Sequence, residues 1–309
     1  MQALPNPVPE DLALPFGQFV AKYSLQAALP LIWGFVNAVG DVLNTPTLNV
    51  LLNFHAVHVQ QLATGGFFAP TSHNNSQLYA AVQSSLGADV LLNSKVSVSD
   101  RQPTGVRFVV KGRDNKEKLV KVKRLLVTIP PTKSNLYPFD LDAAESAVFS
   151  QWQWSNVQVG LFRGAQLPDG LTLINTSPDG SPASYNLPKP PFVWQHSFTG
   201  LPGLYSTFVV GPPDFGVHNA KQLVRDSLKN IGDAGTFNTK RIDFEAFSDH
   251  SPIQLRPSAA DLQAGFYSRL YALQGLRNTF YTGSAWTSDM SSILWVFTET
   301  ILPGLLAGL

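Results

Sequence analysis

The chain of 309 residues has no cysteine at all. It therefore has no disulfide framework, no thiolate metal site, no cysteine nucleophile and no flavin tethered through a cysteine sulfur. No two glycines are separated by a single residue, so the G-x-G-x-x-G turn that cradles a dinucleotide pyrophosphate is missing rather than degenerate. G-x-S-x-G and G-x-x-x-x-G-K-[ST] are missing too, which excludes an elbow-type serine hydrolase and a P-loop enzyme. Charge is sparse and balanced, 14% of residues with a net charge of +1, which gives no electrostatic case for nucleic acid as a partner. Long apolar runs are lacking as well. The greasiest stretch, from Ile293, is interrupted by Glu299, Pro303 and two glycines well short of the roughly 18 residues a membrane span requires, and it reads as a buried helix. Met1–Pro9 is proline-rich without basic residues, which is not a secretory signal, so the expected location is the cytoplasm.

What is present is a globular composition, 44% hydrophobic, enough for a large core in one or two domains. From Phe16 to about Leu62 the apolar spacing is helical, with expected breaks at Pro30, Gly40 and Pro46. Asn74 followed by Gln77 predicts a capping box for a helix over Leu78–Leu86, and a short strand is expected at Val90–Leu92. Val96–Val98, Val106–Val110 and Leu119–Val122 read as strands, with Arg113–Lys116 as a hairpin turn. The unbroken run Leu125–Ile129, stopped by Pro130-Pro131, has the pattern of a parallel strand covered on both faces. Val157–Phe162, Leu171–Asn175 and Leu204–Val210 suggest an antiparallel sheet flooring a pocket, and Lys221–Ile231 and Ala259–Tyr271 are amphipathic helices.

Several groups invite a chemical reading. Seven of the 22 basic residues fall between Lys111 and Arg124, but on a hairpin alternating Val with Lys they read as a solvated face and a guarded edge rather than a phosphate site. His55 and His58 share a helix side without a third ligand nearby, and no metal is expected. His73, before Asn74 and Asn75, is either an imidazole presented at a helix start or a surface residue beside capping asparagines. Asp249 and His250 pair a carboxylate with an imidazole that could protonate or orient a substrate, or else form an ordinary loop turn. Aromatic residues including Trp152, Trp194, Phe208, Trp286 and Trp295 supply core, with a minority left for a ligand cavity.

The most telling stretch runs from Gly275 through Arg277-Asn278-Thr279-Phe280-Tyr281-Thr282-Gly283-Ser284-Ala285-Trp286 to Leu294-Trp295 and Leu302-Pro303. By pattern it is a strand, a glycine turn and a helix whose start Asp289, Ser291 and Ser292 can cap. It resembles the closing flavin-contact segment of the flavin-dependent amine oxidoreductases, in the fungal β-cyclopiazonate dehydrogenase-like branch. The likeness extends through Leu14–Phe19, His73–Tyr79, Leu125–Pro131, Ser248–Pro252 and Gly265–Tyr267, nearly the whole chain.

That resemblance implies an α+β or α/β, amine-oxidase-like flavoprotein fold without its first portion: a mixed sheet, a helical substrate-domain part and an antiparallel pocket sheet. Its expected division is 1–64 as the helical part, 65–150 with 248–309 as the remnant of the FAD domain, and 151–247 as the substrate-domain sheet. It implies FAD as cofactor, with Val96 beside the adenine, Pro130 near the ring, and Gly283, Ser284, Ala285 and Trp286 along the ribityl chain. His250, Asp249 and His73 are the acid–base candidates. Several charge-assisted hydrogen bonds of about 1.5–3 kcal/mol each would be missing at the pyrophosphate, so FAD binding is expected to be weakened or absent. The expected activity is FAD-dependent oxidation of a small secondary metabolite, apolar or alkaloid- or polyketide-like. The alternative is a flavin-independent cyclase or isomerase using the retained pocket. A homodimer or a completing partner chain is the expected assembly.

Overall fold

The computed structural model describes residues 4–175, 185–239 and 241–308. The chain forms two compact units, one of residues 54–150 and 267–309 with the first two residues, the other of 3–53 and 151–266. The first helices are α1 (Glu10–Ala13), α2 (Phe16–Lys22), α3 (Leu29–Val36) and α4 (Thr47–Asn53). Next come α5 (Ala56–Thr64), α6 (Ser76–Leu86), β1 (Lys95–Gln102), β2 (Gly105–Lys111), β3 (Glu117–Val122), β4 (Leu125–Val127), α7 (Lys133–Leu136) and α8 (Ala143–Phe149). β5 (Gln153–Arg163), β6 (Thr172–Ile174), β7 (Phe192–Phe198), β8 (Tyr205–Gly211), α9 (Val217–Asp233), β9 (Asp243–Asp249), β10 (Ile253–Arg256) and α10 (Ala259–Gln263) follow. The chain closes with α11 (Phe266–Tyr271), β11 (Thr279–Tyr281) and α12 (Ser291–Leu306).

In the second unit an antiparallel sheet runs β10-β5-β8-β7-β6, and β9 shares the outer edge of β5 with β10. The expected pocket sheet is therefore antiparallel, as its three legible strands implied. Its core side carries Phe162, Val193, Tyr205 and Val209 against Ala220, Val224 and Leu228 of α9, four-residue spacing that puts one stripe of the helix on the sheet. Pro30 does not break a helix but occupies the first turn of α3, where its missing N–H has no partner to lose.

In the first unit β1-β2-β3 form an antiparallel meander, while β4 and β11 pair in parallel, Leu125 opposite Thr279 and Val127 opposite Tyr281. Within the apolar run at 125–129, residues 125–127 have the parallel pairing its pattern predicts, but the cover on both faces is not there: Leu125 and Leu126 are half-buried and Ile129 is exposed. Leu91 and Val90 are not strand: the chain turns at Leu92-Asn93, with Asn93 at φ 52°, a conformation asparagine tolerates. The two predicted capping arrangements differ as well. Gln77 takes a hydrogen bond from Ser72 Oγ at 2.8 Å instead of closing a box, and Asn74 Oδ1 accepts from Ser76 N at 3.0 Å. At α12 the cap residue is Met290, whose N–H donates to Ser288 Oγ at 3.2 Å. Nor is α12 buried all round: Phe297 and Ile301 go inward, while Trp295 and Val296 face solvent.

This unit is organised around one ion pair. Arg101 donates to both oxygens of Glu145, at 2.7 and 2.6 Å, and neither side chain is exposed at all. Tyr281 Oη donates to Glu145 Oε1 at 2.6 Å, and Arg101 also reaches Asp140 O at 2.6 Å. Burial by itself would raise the Glu145 carboxyl, but hydrogen bonds from Arg101, Tyr281 and the Asp142 backbone, with the charge of Arg101, hold it below the usual glutamate range. Its contribution to stability is thus present above a pH near 4.5 and is lost as the pH falls through the lower folded value. Glu145→Ala leaves a buried guanidinium without its counter-ion, and should cost about 3–5 kcal/mol in urea unfolding, with a much flatter acid limb than the parent below pH 5. Equal stabilities of parent and variant at neutral pH would refute this account.

Candidate functional site

The parallel pair β4–β11 ends on one edge in two special turns. After Val127 the chain reaches Pro130-Pro131, and after Tyr281 it reaches Gly283. Thr282 N donates to Val127 O at 3.0 Å, continuing the pairing one residue past the strand and holding these two carboxyl ends side by side. Ligands of open parallel sheets sit outside the carboxyl ends of adjacent strands, and this is such an edge. Gly283 has φ 125° and ψ 176°, a region essentially restricted to glycine, and a Cβ there would come within 3.4 Å of Thr128 O. The turn therefore presents bare backbone.

Ser284–Trp286 continue as a single 3-10 turn, with Trp286 N donating to Gly283 O at 3.0 Å. Ala285 and Trp286 are buried, whereas Ser284 is half-buried at the edge. The Trp286 ring stacks on Tyr281 at 5.2 Å and meets Tyr271 edge-on at 6.0 Å, and Tyr271 Oη donates to Trp286 O. Burial raises the Tyr271 hydroxyl well above the ordinary phenol value, so it stays a donor at all working pH. Trp286 Nε1 is buried without a hydrogen-bond acceptor among the described residues. Pro130 is half-buried, and its carbonyl accepts from Thr132 N at 2.8 Å and Asn135 Nδ2 at 3.0 Å, which fixes the turn after β4.

The other candidates lie elsewhere. Val96 sits half-buried in β1, opposite Val110 and beside a bulge. His73 is exposed at φ 51°, ahead of α6, its N–H bonded to Pro70 O at 2.9 Å. Asp249 and His250 belong to the second unit, at the exposed end of β9. There the Asp249 carboxylate accepts from Ser251 N at 2.8 Å, and His250 N donates to Val157 O at 2.9 Å. His55 caps α5, its Nδ1 accepting from Val57 N at 3.3 Å, and His58 Nδ1 accepts from His55 N at 3.3 Å, so both rings serve the helix start.

The second unit holds a cavity of about 710 Å³ beside β7 and α9, walled by Trp194, His196, Ser227, Asn230 and Phe237, and a smaller one of about 370 Å³ walled by Gln18, Trp33, Asp41 and Lys189. The larger is within the range of small-molecule pockets. His196 was not singled out from sequence. Burial lowers it to about 4, so its ring is neutral at pH 7, with Nε2 3.1 Å from Ser227 Oγ. Neither Asp249 nor His250 lines either cavity.

No family model matches the chain. It is 36% identical over 297 residues to β-cyclopiazonate dehydrogenase of Aspergillus flavus, covering 96% of this chain and 64% of that protein. It is also 36% identical over 318 residues to the FAD-dependent oxidoreductase oblC of Cochliobolus heterostrophus, covering 99% of this chain and 65% of that protein. The chain is a homologue of the β-cyclopiazonate dehydrogenase-like FAD-dependent oxidoreductases. It spans a little under two thirds of the length of these curated relatives. Among solved structures, a fatty acid isomerase from P. acnes has the same fold at TM-score 0.76 and 19% identity, over 97% of this chain and 68% of that one. A second likeness, to a protein titled putative protoporphyrinogen oxidase from Exiguobacterium, has TM-score 0.59 and 14% identity.

The relatives' names imply FAD, and Gly283 fits one side of such a group, because a backbone with no Cβ lets a planar ring or its sugar chain approach. The pyrophosphate has no glycine fingerprint among these 309 residues. Gly283→Ala forces a side chain into a glycine-only conformation and should lower stability by about 1–3 kcal/mol in chemical unfolding. An unchanged midpoint would show that the turn is not held as described.

Proposed function

We propose that this chain forms the flavin-ring-facing and substrate-facing part of an FAD-dependent oxidoreductase acting on a small secondary metabolite. The observation that carries the reading is the pair of adjacent parallel carboxyl ends, Pro130 on one and Gly283–Trp286 on the other, in a homologue of proteins named FAD-dependent. When bound there, FAD supplies a hydride acceptor. The chain's share is orientation and dryness. Gly283 and Ser284 offer backbone and hydroxyl hydrogen bonds along the ribityl side, buried Ala285 and Trp286 back the turn, and Pro130 closes the neighbouring end. Val96 on the meander is assigned to the adenine side.

For the proton that leaves the substrate when a C–H beside nitrogen is oxidised, the proposal gives the base role to His250, with Asp249 beside it, and a binding or relay role to His73. All three are exposed. β-Cyclopiazonate as a name belongs to the relatives; for this chain the substrate class is a small, largely apolar, nitrogen-bearing metabolite. Location in the cytoplasm is part of the same proposal.

Titrating the purified chain with FAD tests this reading. Flavin absorbance between roughly 350 and 500 nm should shift saturably and its fluorescence should quench, with weaker binding than in a protein carrying a glycine fingerprint. Gly283→Val should abolish the change under conditions where circular dichroism shows the variant, though less stable, still folded. A spectrum that never moves, in a chain that is folded, would refute the flavin reading and leave the flavin-independent cyclase or isomerase.

A further inference from the structure

The cavity of about 710 Å³ beside β7 and α9 is larger than the other described one, yet neither the flavin edge nor the acid–base candidates use it. Its walls are mainly apolar, with Leu173, Leu223, Ile231 and Phe237 among them. The strand beneath is finished before it reaches the cavity. β6 pairs with β7 only at residues 195–197, and Asn175 then closes the edge, its N donating to Trp194 O at 2.8 Å and its Nδ2 to Val193 O at 2.9 Å. Gln274 does the same on β11, where its Nε2 donates to Tyr281 O at 2.8 Å and its Oε1 accepts from Tyr281 N at 2.9 Å. A sealed edge leaves the space above β7 to something other than a strand.

The polar groups in this wall are incompletely paired. His196 is 2% exposed, its Nε2 lies 3.1 Å from Ser227 Oγ, and its Nδ1 has no hydrogen-bond partner among the described residues. Thr207, opposite His196 on β8 and 1% exposed, has an unpartnered hydroxyl as well. Buried polar atoms are nearly always satisfied, so such a pair beside a cavity calls for an outside partner. The imidazole is neutral at pH 7. If Ser227 donates to Nε2, Nδ1 carries the proton and needs an acceptor; if Nε2 donates to Ser227, Nδ1 needs a donor. A hydroxyl group satisfies Nδ1 in both tautomers, whereas a carboxylate or an ammonium suits only one. The charged wall residues, Asp226 and Lys189, are exposed and of opposite sign, so the cavity as a whole favours neither an anion nor a cation.

We infer that the cavity between β7 and α9 is a second small-molecule site, taking a neutral, largely apolar alcohol or phenol whose hydroxyl bonds to the His196–Ser227 pair. All its residues lie in the second unit, and none is among those assigned to the flavin or to proton transfer. The inference therefore goes beyond the oxidoreductase reading and stands whether or not flavin binds.

The test is equilibrium dialysis of the full chain at pH 7 against 1-naphthol, naphthalene and 1-naphthoate, three probes of similar shape. 1-Naphthol should occupy one saturable site per chain, about fivefold more tightly than either of the others, as one added hydrogen bond in a dry site allows. His196→Phe keeps the ring volume and should make 1-naphthol bind no better than naphthalene. Ala234→Trp, which fills the cavity from the exposed end of α9, should abolish binding of both at an unchanged melting temperature, and it decides the matter if His196→Phe does not fold. No saturable binding, equal affinity of the parent for 1-naphthol and naphthalene, or full binding by Ala234→Trp overturns the site. Displacement of 1-naphthol by FAD overturns it too, whereas a chain that binds 1-naphthol and shows no flavin spectral shift refutes only the flavin reading.

Discussion

Everything in the first unit is referred to one buried charge pair. Arg101 comes from a β-hairpin, Glu145 from the first turn of a short helix, and Tyr281 from the strand that leads into the glycine turn. A guanidinium with no exposure demands its carboxylate at bonding distance, because an unpaired charge in that setting is costly by several kcal/mol. Three segments far apart in sequence are thereby locked to one point. Glu145 does double duty, since its Oε2 also accepts from Asp142 N at 3.0 Å and so closes the capping box of α8. The aromatic stack follows from this anchor: Phe149 meets Tyr281 edge-on at 5.6 Å and Tyr281 lies flat on Trp286. The Gly283 turn is therefore held from beneath by a polar clamp and an aromatic column, and not by the turn's own hydrogen bonds alone.

The second unit is held together differently. Its sheet relies on alternation, with β5 and β8 presenting successive residues to α9 and to the opposite face, and on hydrophobic area, not charge. Buried polar groups there are used locally: Ser155 Oγ donates to Val39 O at 2.7 Å, and Gln158 Nε2 to Phe215 O at 2.7 Å. Such a unit tolerates repacking, whereas the first depends on a few atoms.

What could be read from the sequence was what periodicity and composition control. The meander, the parallel character of Leu125–Ile129, the sheet strands at 157–162 and 204–210 and the helix at 221–231 all follow from apolar spacing that nothing in three dimensions overrode. β7 and β9 were missed because a proline pair precedes the first and because Asp243–Asp249 carries charge at both ends, which hides a strand lying on an edge. The caps failed for another reason: several serines and asparagines compete for the same N–H groups, and only geometry decides among Ser288, Asp289 and Ser291. The glycine turn at Gly283 was legible because only glycine allows it. The Arg101–Glu145 clamp was not, although Asp142 with Glu145 three residues later carries the capping-box signature that locates one half of it.

The Gln274 side chain, by imitating a peptide at the outer margin of β11, makes the little parallel sheet one-sided. Strand addition can proceed from β4 but never from β11. Extension of this sheet is therefore confined to one direction, where a sheet open on both sides could grow both ways.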